Sequence, residues 1–298
     1  MKSIYLIIVI VALISCTPKK AEVDPVAYAA EIEAWHQKRV ENLKGPNGWL
    51  NVAGLYWLND GINTFGSGEK NSIVFPAGKI PEFAGFFMLQ MNTVLIDVAD
   101  NVDITSNGQP VNEKIIYHPD SSRAVVLDYG SLQWFVIKRD TKFGIRLRDF
   151  KSPAIESFKE IDRYPVDVQW RLEAKFEKAD SARTIPITNV LGQTTPQSSP
   201  GTLVFAVKDK TYRLDVLDEG GEEYFIIFGD ATNAGETYGA GRYVYVKKPD
   251  ADGNTILDFN KAYNPPCAFT EFATCPLPPK QNILDTEVTS GEKNYSLH

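Results

Sequence analysis

Histidine and cysteine are scarce in this 298-residue chain, with three of each. So few leave little material for a metal centre built from imidazole and thiolate. The histidines are also badly placed for catalysis: His36 lies in a helical pattern, His118 in a His-Pro-Asp turn and His298 at the end. A Ser-His-Asp or Cys-His mechanism needs a positioned imidazole, and none adjoins a motif-rich stretch. Positive charge is in deficit, 31 Lys and Arg against 38 Asp and Glu, for a net charge of −7 and a pI of about 5.2. An acidic surface repels phosphate backbones, so nucleic acid is excluded as a partner. Long hydrophobic runs are absent too. The longest, Ile4 to Ile14, is about half of the roughly 20 residues a membrane span requires. Gly239-Ala240-Gly241 runs into Arg242 and strand-like residues, without the rest of a dinucleotide fingerprint. No cofactor and no metal are expected.

What is present suffices for a packed core: 43% of residues are apolar and 11% aromatic. The length suits one large domain or two of ordinary size. Lys2 precedes the apolar run, which ends in Leu13-Ile14-Ser15-Cys16 and resembles a bacterial lipobox. That pattern predicts a signal peptide over 1–15, a lipid on Cys16 and a tether over 16–23. The membrane, through that lipid, is then a partner. The cell envelope follows as the location, with the outer membrane favoured because Thr17 stands where Asp would retain the chain at the inner one.

Asp24-Pro25 reads as a helix cap followed by proline at the first helical position, and Gly45-Pro46 as the stop. Tyr28, Ile32, Trp35 and Leu43 are expected on its buried face, with His36 beside them. From Trp49 onward, short strands alternate with turn residues. Ser72–Phe75, Thr93–Val98, Val102–Thr105, Ala124–Tyr129, Gln133–Arg139, Gly144–Asp149 and Arg171–Glu177 fit this pattern, and Asn107-Gly108 signals a hairpin. Thr188–Gly201, rich in Thr, Ser, Gln and Pro, reads as a long connection. A second set follows at Thr202–Val207, Tyr212–Leu217, Tyr224–Gly229, Tyr243–Val246 and Thr255–Phe259. The predicted class is mainly β: an antiparallel sandwich or barrel-like architecture with one N-terminal helix and two interacting β subdomains, over 24–180 and 181–298.

The most unusual stretch is Asp258–Pro279, with five prolines among Phe259, Tyr263, Phe269, Phe272 and Leu277. Prolines restrict the chain and aromatics anchor it, which predicts a rigid loop folded onto the body. Upstream, Gly235-Glu236-Thr237-Tyr238-Gly239-Ala240-Gly241-Arg242 combines flexible glycines with a carboxylate and a guanidinium. In the first half, Arg146 and Arg148 fall on one strand face, either as a solvated face or as an anion-recognition pair, and Trp49, Tyr56 and Trp57 are expected to cluster near the helix, as core packing ahead of a sugar-stacking platform.

These motifs resemble the bacterial domain-of-unknown-function family 1684. The carriers are Glu236–Arg242, Asp258–Phe269 and Ala273–Pro278, with further matches at Gly48-Trp49-Leu50, Gly54–Leu58 and Ser199-Pro200-Gly201. The resemblance runs from Glu31 to Glu292, with Glu271 standing where the pattern has proline. It implies no activity, since the family's own is unknown. In an exported protein Cys267 and Cys275 are expected to form a disulfide, the alternative being two buried thiols. Carboxylate chemistry is what the composition leaves. Glu236, Asp230 and Asp258 are candidates to share a rim, with Glu236 and Asp258 as a glycosidase-like acid–base pair. Tyr238, Arg242, Asn260, Tyr263 and Asn264 are candidates to line a pocket for a small polar or anionic ligand. The first reading is thus an envelope β scaffold with a polar pocket near Glu236 and Arg242. The alternatives are a carboxylate-dependent hydrolase, or an envelope protein-interaction module presenting an exposed apolar patch.

Overall fold

The computed structural model describes residues 23–295, so the expected signal peptide, Cys16 and nearly all of the tether lie outside the described residues. Asp24 caps α1 (Pro25–Lys44), its carboxylate accepting the Val26 N–H at 2.9 Å. The buried stripe is Tyr28, Ile32, His36 and Leu43. His36 therefore takes the place expected of Trp35, which is only partly covered. Positions 28, 32 and 36 follow the four-residue helical repeat, and the buried imidazole Nε2 meets a Glu160 carboxylate oxygen at 2.7 Å. Among the described residues no helix is long and apolar enough to cross a membrane.

Eleven strands follow: β1 (Val52–Trp57), β2 (Gly61–Gly66), β3 (Ile73–Val74), β4 (Gly85–Gln90), β5 (Thr93–Val98), β6 (Thr105–Ser106), β7 (Gln109–Pro110), β8 (Glu113–Tyr117), β9 (Val126–Tyr129), β10 (Leu132–Arg139) and β11 (Lys142–Asp149). They form two sheets, ordered β1-β11-β10-β9-β6-β7 and β3-β2-β4-β5-β8. Phe65, Phe87 and Ile96 from one sheet and Leu127, Trp134 and Leu147 from the other build one core, as a sandwich requires. Asn107 (φ 51°) and Gly108 (φ 73°) supply the two left-handed residues of the β6–β7 turn.

After the short α2 (Pro153–Ser157) come β12 (Arg171–Lys178), β13 (Thr184–Thr188), β14 (Thr194–Ser198), β15 (Gly201–Val207), β16 (Lys210–Asp215), β17 (Glu223–Phe228), β18 (Arg242–Lys247) and β19 (Asn254–Asp258). A sheet β16-β15-β12-β19 and a β17–β18 ladder share a core of Leu203, Leu214, Ile226, Val244, Leu257 and Phe259. The expected boundary at residue 180 assigns β12 to the first half, but β12 pairs with β15 and β19. The expected Thr188–Gly201 connection is largely a β13–β14 hairpin. Its turn is closed by Asn189 Oδ1, which accepts from the Leu191 and Gln193 N–H groups, with Gly192 at φ 76°. Pro186 opposite Pro196 hides this pair from strand propensity.

The proline-rich segment is ordered on the body through one-turn 3-10 helices at Phe259–Lys261, Pro266–Ala268 and Lys280–Asn282. Ala268 and Phe269 pack with Leu43 and Leu50 of the N-terminal region and with Phe158 and Ile161. Cys267 and Cys275 are disulfide-bonded.

Candidate functional site

Arg242 opens β18 and is completely buried. Its guanidinium donates to Asp230 Oδ2 at 2.9 Å and to the carbonyls of Val288 (2.8 Å), Ser290 and Glu292. Asp230 spends its other oxygen on the Thr232 N–H and hydroxyl and on the Val288 N–H. The pair therefore folds residues 288–292 around itself. A buried ion pair compensates its desolvation only with further hydrogen bonds of this kind. Gly241, at φ 86°, makes the turn into β18, and a Cβ there would lie 2.5 Å from the Phe228 carbonyl oxygen.

The remaining candidates divide among separate clusters. Asp258 Oδ1 accepts the Tyr28 hydroxyl at 2.7 Å and the Asn260 N–H at 3.1 Å, while Asn260 bridges to the Asp167 backbone. That cluster fastens α1 to the end of β19. Glu236 is exposed, 3.3 Å from Lys293 Nζ. Asn264 donates its amide to the Lys293 carbonyl and its N–H to Glu292 Oε2, while Arg39 pairs with Glu292 Oε1 at 3.1 Å and donates to the Asn264 carbonyl. Tyr238 packs partly buried in the Phe269 cluster, and that burial raises its pKa. No hydrogen bond or ion pair joins Arg242 to Glu236, Asp258, Asn260 or Asn264. The expected single rim is instead several fastenings.

An open site lies elsewhere, between the β10–β11 hairpin and the disulfide loop. One cavity, about 410 Å³, is lined by Trp49, Phe225, Tyr243, Tyr245 and Tyr263, with Arg39, Arg139, Glu219 and residues 273–276. A second, about 380 Å³, shares Arg139, Glu219, Phe225, Thr274 and Pro276, and adds Asn189, Gln193, Thr195 and Gln197. The two make one groove. Of the sequence-chosen ligand candidates, Tyr263 lines it and Tyr238, Arg242, Asn260 and Asn264 do not. The loop wall is held rigidly, with Pro276 O accepting the Tyr243 hydroxyl at 2.8 Å and Thr274 Oγ1 accepting Arg139 Nε at 3.2 Å.

The Trp49 side of the groove is backed by a buried cation. Arg146, on β11, is 4% exposed and stacks on Trp49 with its guanidinium carbon 5.3 Å from the ring. It donates to the Phe272 carbonyl at 3.3 Å, and its Nε has no partner. Burial first, then the Arg139 and Arg148 charges, lower its pKa to about 10. Among the described residues no carboxylate pairs with Arg146, Arg148 or Arg139. Arg148 is satisfied by the Pro46 and Gly48 carbonyls and Asn51 Oδ1. Of the two sequence readings for this arginine pair, a solvated face is corrected: both are buried. At the rim, Tyr245 donates to Glu219 Oε2 at 3.0 Å, and burial together with that carboxylate pushes its pKa up to about 12.

The groove residues Arg139, Asn189, Gln193, Glu219 and Tyr245 were not singled out by sequence motif. They come from strands and turns far apart in the chain; of the residues that the sequence did single out, Trp49, Tyr263 and the loop around Cys275 reach the groove.

The apolar patch expected of an interaction module has a counterpart. Across β2, β4, β5 and β8, Ile62, Met88, Leu95 and Ile115 are in register on the outward face, with Ile62 59% and Ile115 52% exposed.

Residues 156–293 match the family described as a protein of unknown function, DUF1684. The match supports, over that range, the resemblance carried by the C-terminal motifs, and it contains the Arg242 cluster and both cysteines of the disulfide. No curated protein matches the chain. Among solved structures, an uncharacterized protein of Haloarcula marismortui is 29% identical over 48% of this chain and 80% of its own, with a TM-score of 0.40. The FhaA FHA domain, solved with the intracellular domain of another protein, is 16% identical over 32% of this chain and 97% of its own, at a TM-score of 0.23. An FHA domain from work on phosphothreonine-dependent interactions is 17% identical over 32% and 92%, at 0.22. No activity is transferred from these likenesses.

Proposed function

We propose that this chain is a β scaffold that binds a small polar ligand in the groove between the β10–β11 hairpin and the disulfide loop. This replaces a pocket at Glu236 and Arg242, because Arg242 is completely buried, with its two terminal nitrogens held by Asp230 and the carbonyls of residues 288–292. The observation that carries the reading is Arg146, a buried cation without a carboxylate directly behind a groove wall. A buried charge is costly unless paired, and an anionic or hydroxyl-rich occupant beside Trp49 and Arg139 lowers that cost. The aromatic lining with a few convergent polar groups has the character of ligand sites. A carboxylate-dependent hydrolase draws no support from Asp258, which caps a turn, or from Glu236, which pairs with Lys293.

The test is a thermal-shift screen of small anions, sugars and other polar metabolites. A ligand that raises the melting temperature of the native chain should lose that effect in Arg139→Ala and Tyr245→Ala, both at exposed positions. Ligands that act equally on both variants, or a screen without any stabiliser, would remove the groove from consideration.

We also propose that the chain is exported and held at the cell envelope, with the outer membrane favoured, by lipid on Cys16. Support comes from the Leu13-Ile14-Ser15-Cys16 pattern behind Lys2. Cys16→Ser should move the protein from the membrane to the soluble fraction; unchanged membrane retention would contradict the anchor.

A further inference from the structure

We propose that the groove takes a saccharide chain of several rings. This inference rests on the groove being the binding site and adds the chemical class of its ligand.

A third depression, about 730 Å³, lies beyond Tyr245 between Glu222 and Lys247, and shares Glu219 and Tyr245 with the aromatic cavity. Three adjoining cavities meet at Glu219, each within the size range that holds a small ligand. Their combined extent suits a chain of repeating units better than one compact molecule.

A pyranose offers an apolar C–H face and a rim of hydroxyls that both donate and accept. Tyr245 and Tyr263 lie 12° from parallel with centroids 6.3 Å apart, and Tyr245 is 42% exposed. Aromatic surface of this kind, rigid and apolar with a polar edge, packs a flat face at low entropic cost. Around it stand partners of each type: Glu219 accepts only, Arg139 donates only, and the Gln193 and Gln197 carboxamides do both. The ionised groups are of mixed sign, which fits a neutral or moderately acidic chain and opposes a dense polyanion.

The edge of β14 favours sugars over extended peptides. A peptide would gain most by adding to the open edge of β14, but Pro196 stands at the centre of that strand without an N–H. The side chains of Thr195 and Gln197 on the same strand still reach the groove.

The experiment is calorimetric titration of the chain with cellotetraose, chitotetraose and tetragalacturonate, and with the matching monosaccharides. One tetrasaccharide is expected to bind at least about tenfold more tightly than its monomer. Tyr245→Ala should weaken it about tenfold, the usual cost of losing an aromatic anchor, and Gln197→Ala by less, with both variants still unfolding cooperatively. A monosaccharide that binds through Tyr245 with no gain from chain length overturns the polymer and leaves the groove standing. If no saccharide binds while a non-sugar from the thermal-shift screen depends on Tyr245, the chemical class is overturned. Absence of any groove ligand overturns both readings.

Discussion

The Arg242 cluster and the Tyr245–Arg139 groove contain the same kinds of side chain and use them in opposite ways. At Arg242, guanidinium, carboxylate and backbone face one another, so three of its four acceptors are carbonyls of residues 288–292. In the groove, Arg139 and Glu219 line one cavity without an ion pair between them, and Arg146 behind it has a single carbonyl acceptor. The difference teaches that density of motif and availability for chemistry are separate properties. Polar side chains that satisfy an irregular backbone need a fixed local pattern, which sequence displays. The groove side chains converge from distant strands and turns, and local sequence does not display convergence.

The comparison breaks most visibly at Arg242. Arg242→Ala leaves Asp230 buried without its cation, at an expected cost of about 3–5 kcal/mol, and chemical denaturation should find it barely folded. A variant that melts like the native chain would put Arg242 in the wrong category. The disulfide comes next. Cys267→Ser with Cys275→Ser should cost about 2.5 kcal/mol on the loop-entropy estimate, read as a lower denaturation midpoint, and should weaken any groove ligand, since residues 273–276 form its wall.

Asp215 sharpens the contrast through pH. Burial raises its pKa, but hydrogen bonds from Thr202 and Gln281 and the Arg183 ion pair outweigh burial and hold it below the usual carboxylate range. A depressed carboxylate stabilises the fold above its unfolded value, near 3.9, and that contribution is lost as pH falls through the folded value. Asp215→Asn should therefore lower the midpoint at pH 7 by the equivalent of about 1.5–3 kcal/mol. The gap to the native chain should narrow below about pH 4; a gap that widens in acid would contradict the assignment. Tyr28→Phe is the mildest change. It removes the hydroxyl that bonds Asp258 at 2.7 Å and should cost about 1 kcal/mol, with ligand binding unaffected.

Much of the fold was legible. The capped helix, the Asn107-Gly108 hairpin, most strands and the ordered proline-rich loop follow from capping, alternation and turn chemistry. The β13–β14 hairpin was not, because paired prolines and exposed polar residues conceal a strand whose inward face is only Ile185 and Ile187. His36 was misplaced because periodicity ranks Trp above His, whereas Glu160, 124 residues away, makes the imidazole the better buried group. Of the groove, Trp49, Tyr263 and the loop around Cys275 carried a local signal, as did Arg146 behind it. Tyr245, Glu219 and Gln197 read as ordinary surface residues until the chain is folded.

The central claim, that binding belongs to the groove and Arg242 to the framework, is tested most directly by one pair of surface variants. Titrating the tightest-binding tetrasaccharide into Glu236→Ala and Tyr245→Ala should leave the first with native affinity and cost the second about tenfold. Loss of affinity in Glu236→Ala, with Tyr245→Ala unaffected, would return the site to the glycine turn ahead of Arg242.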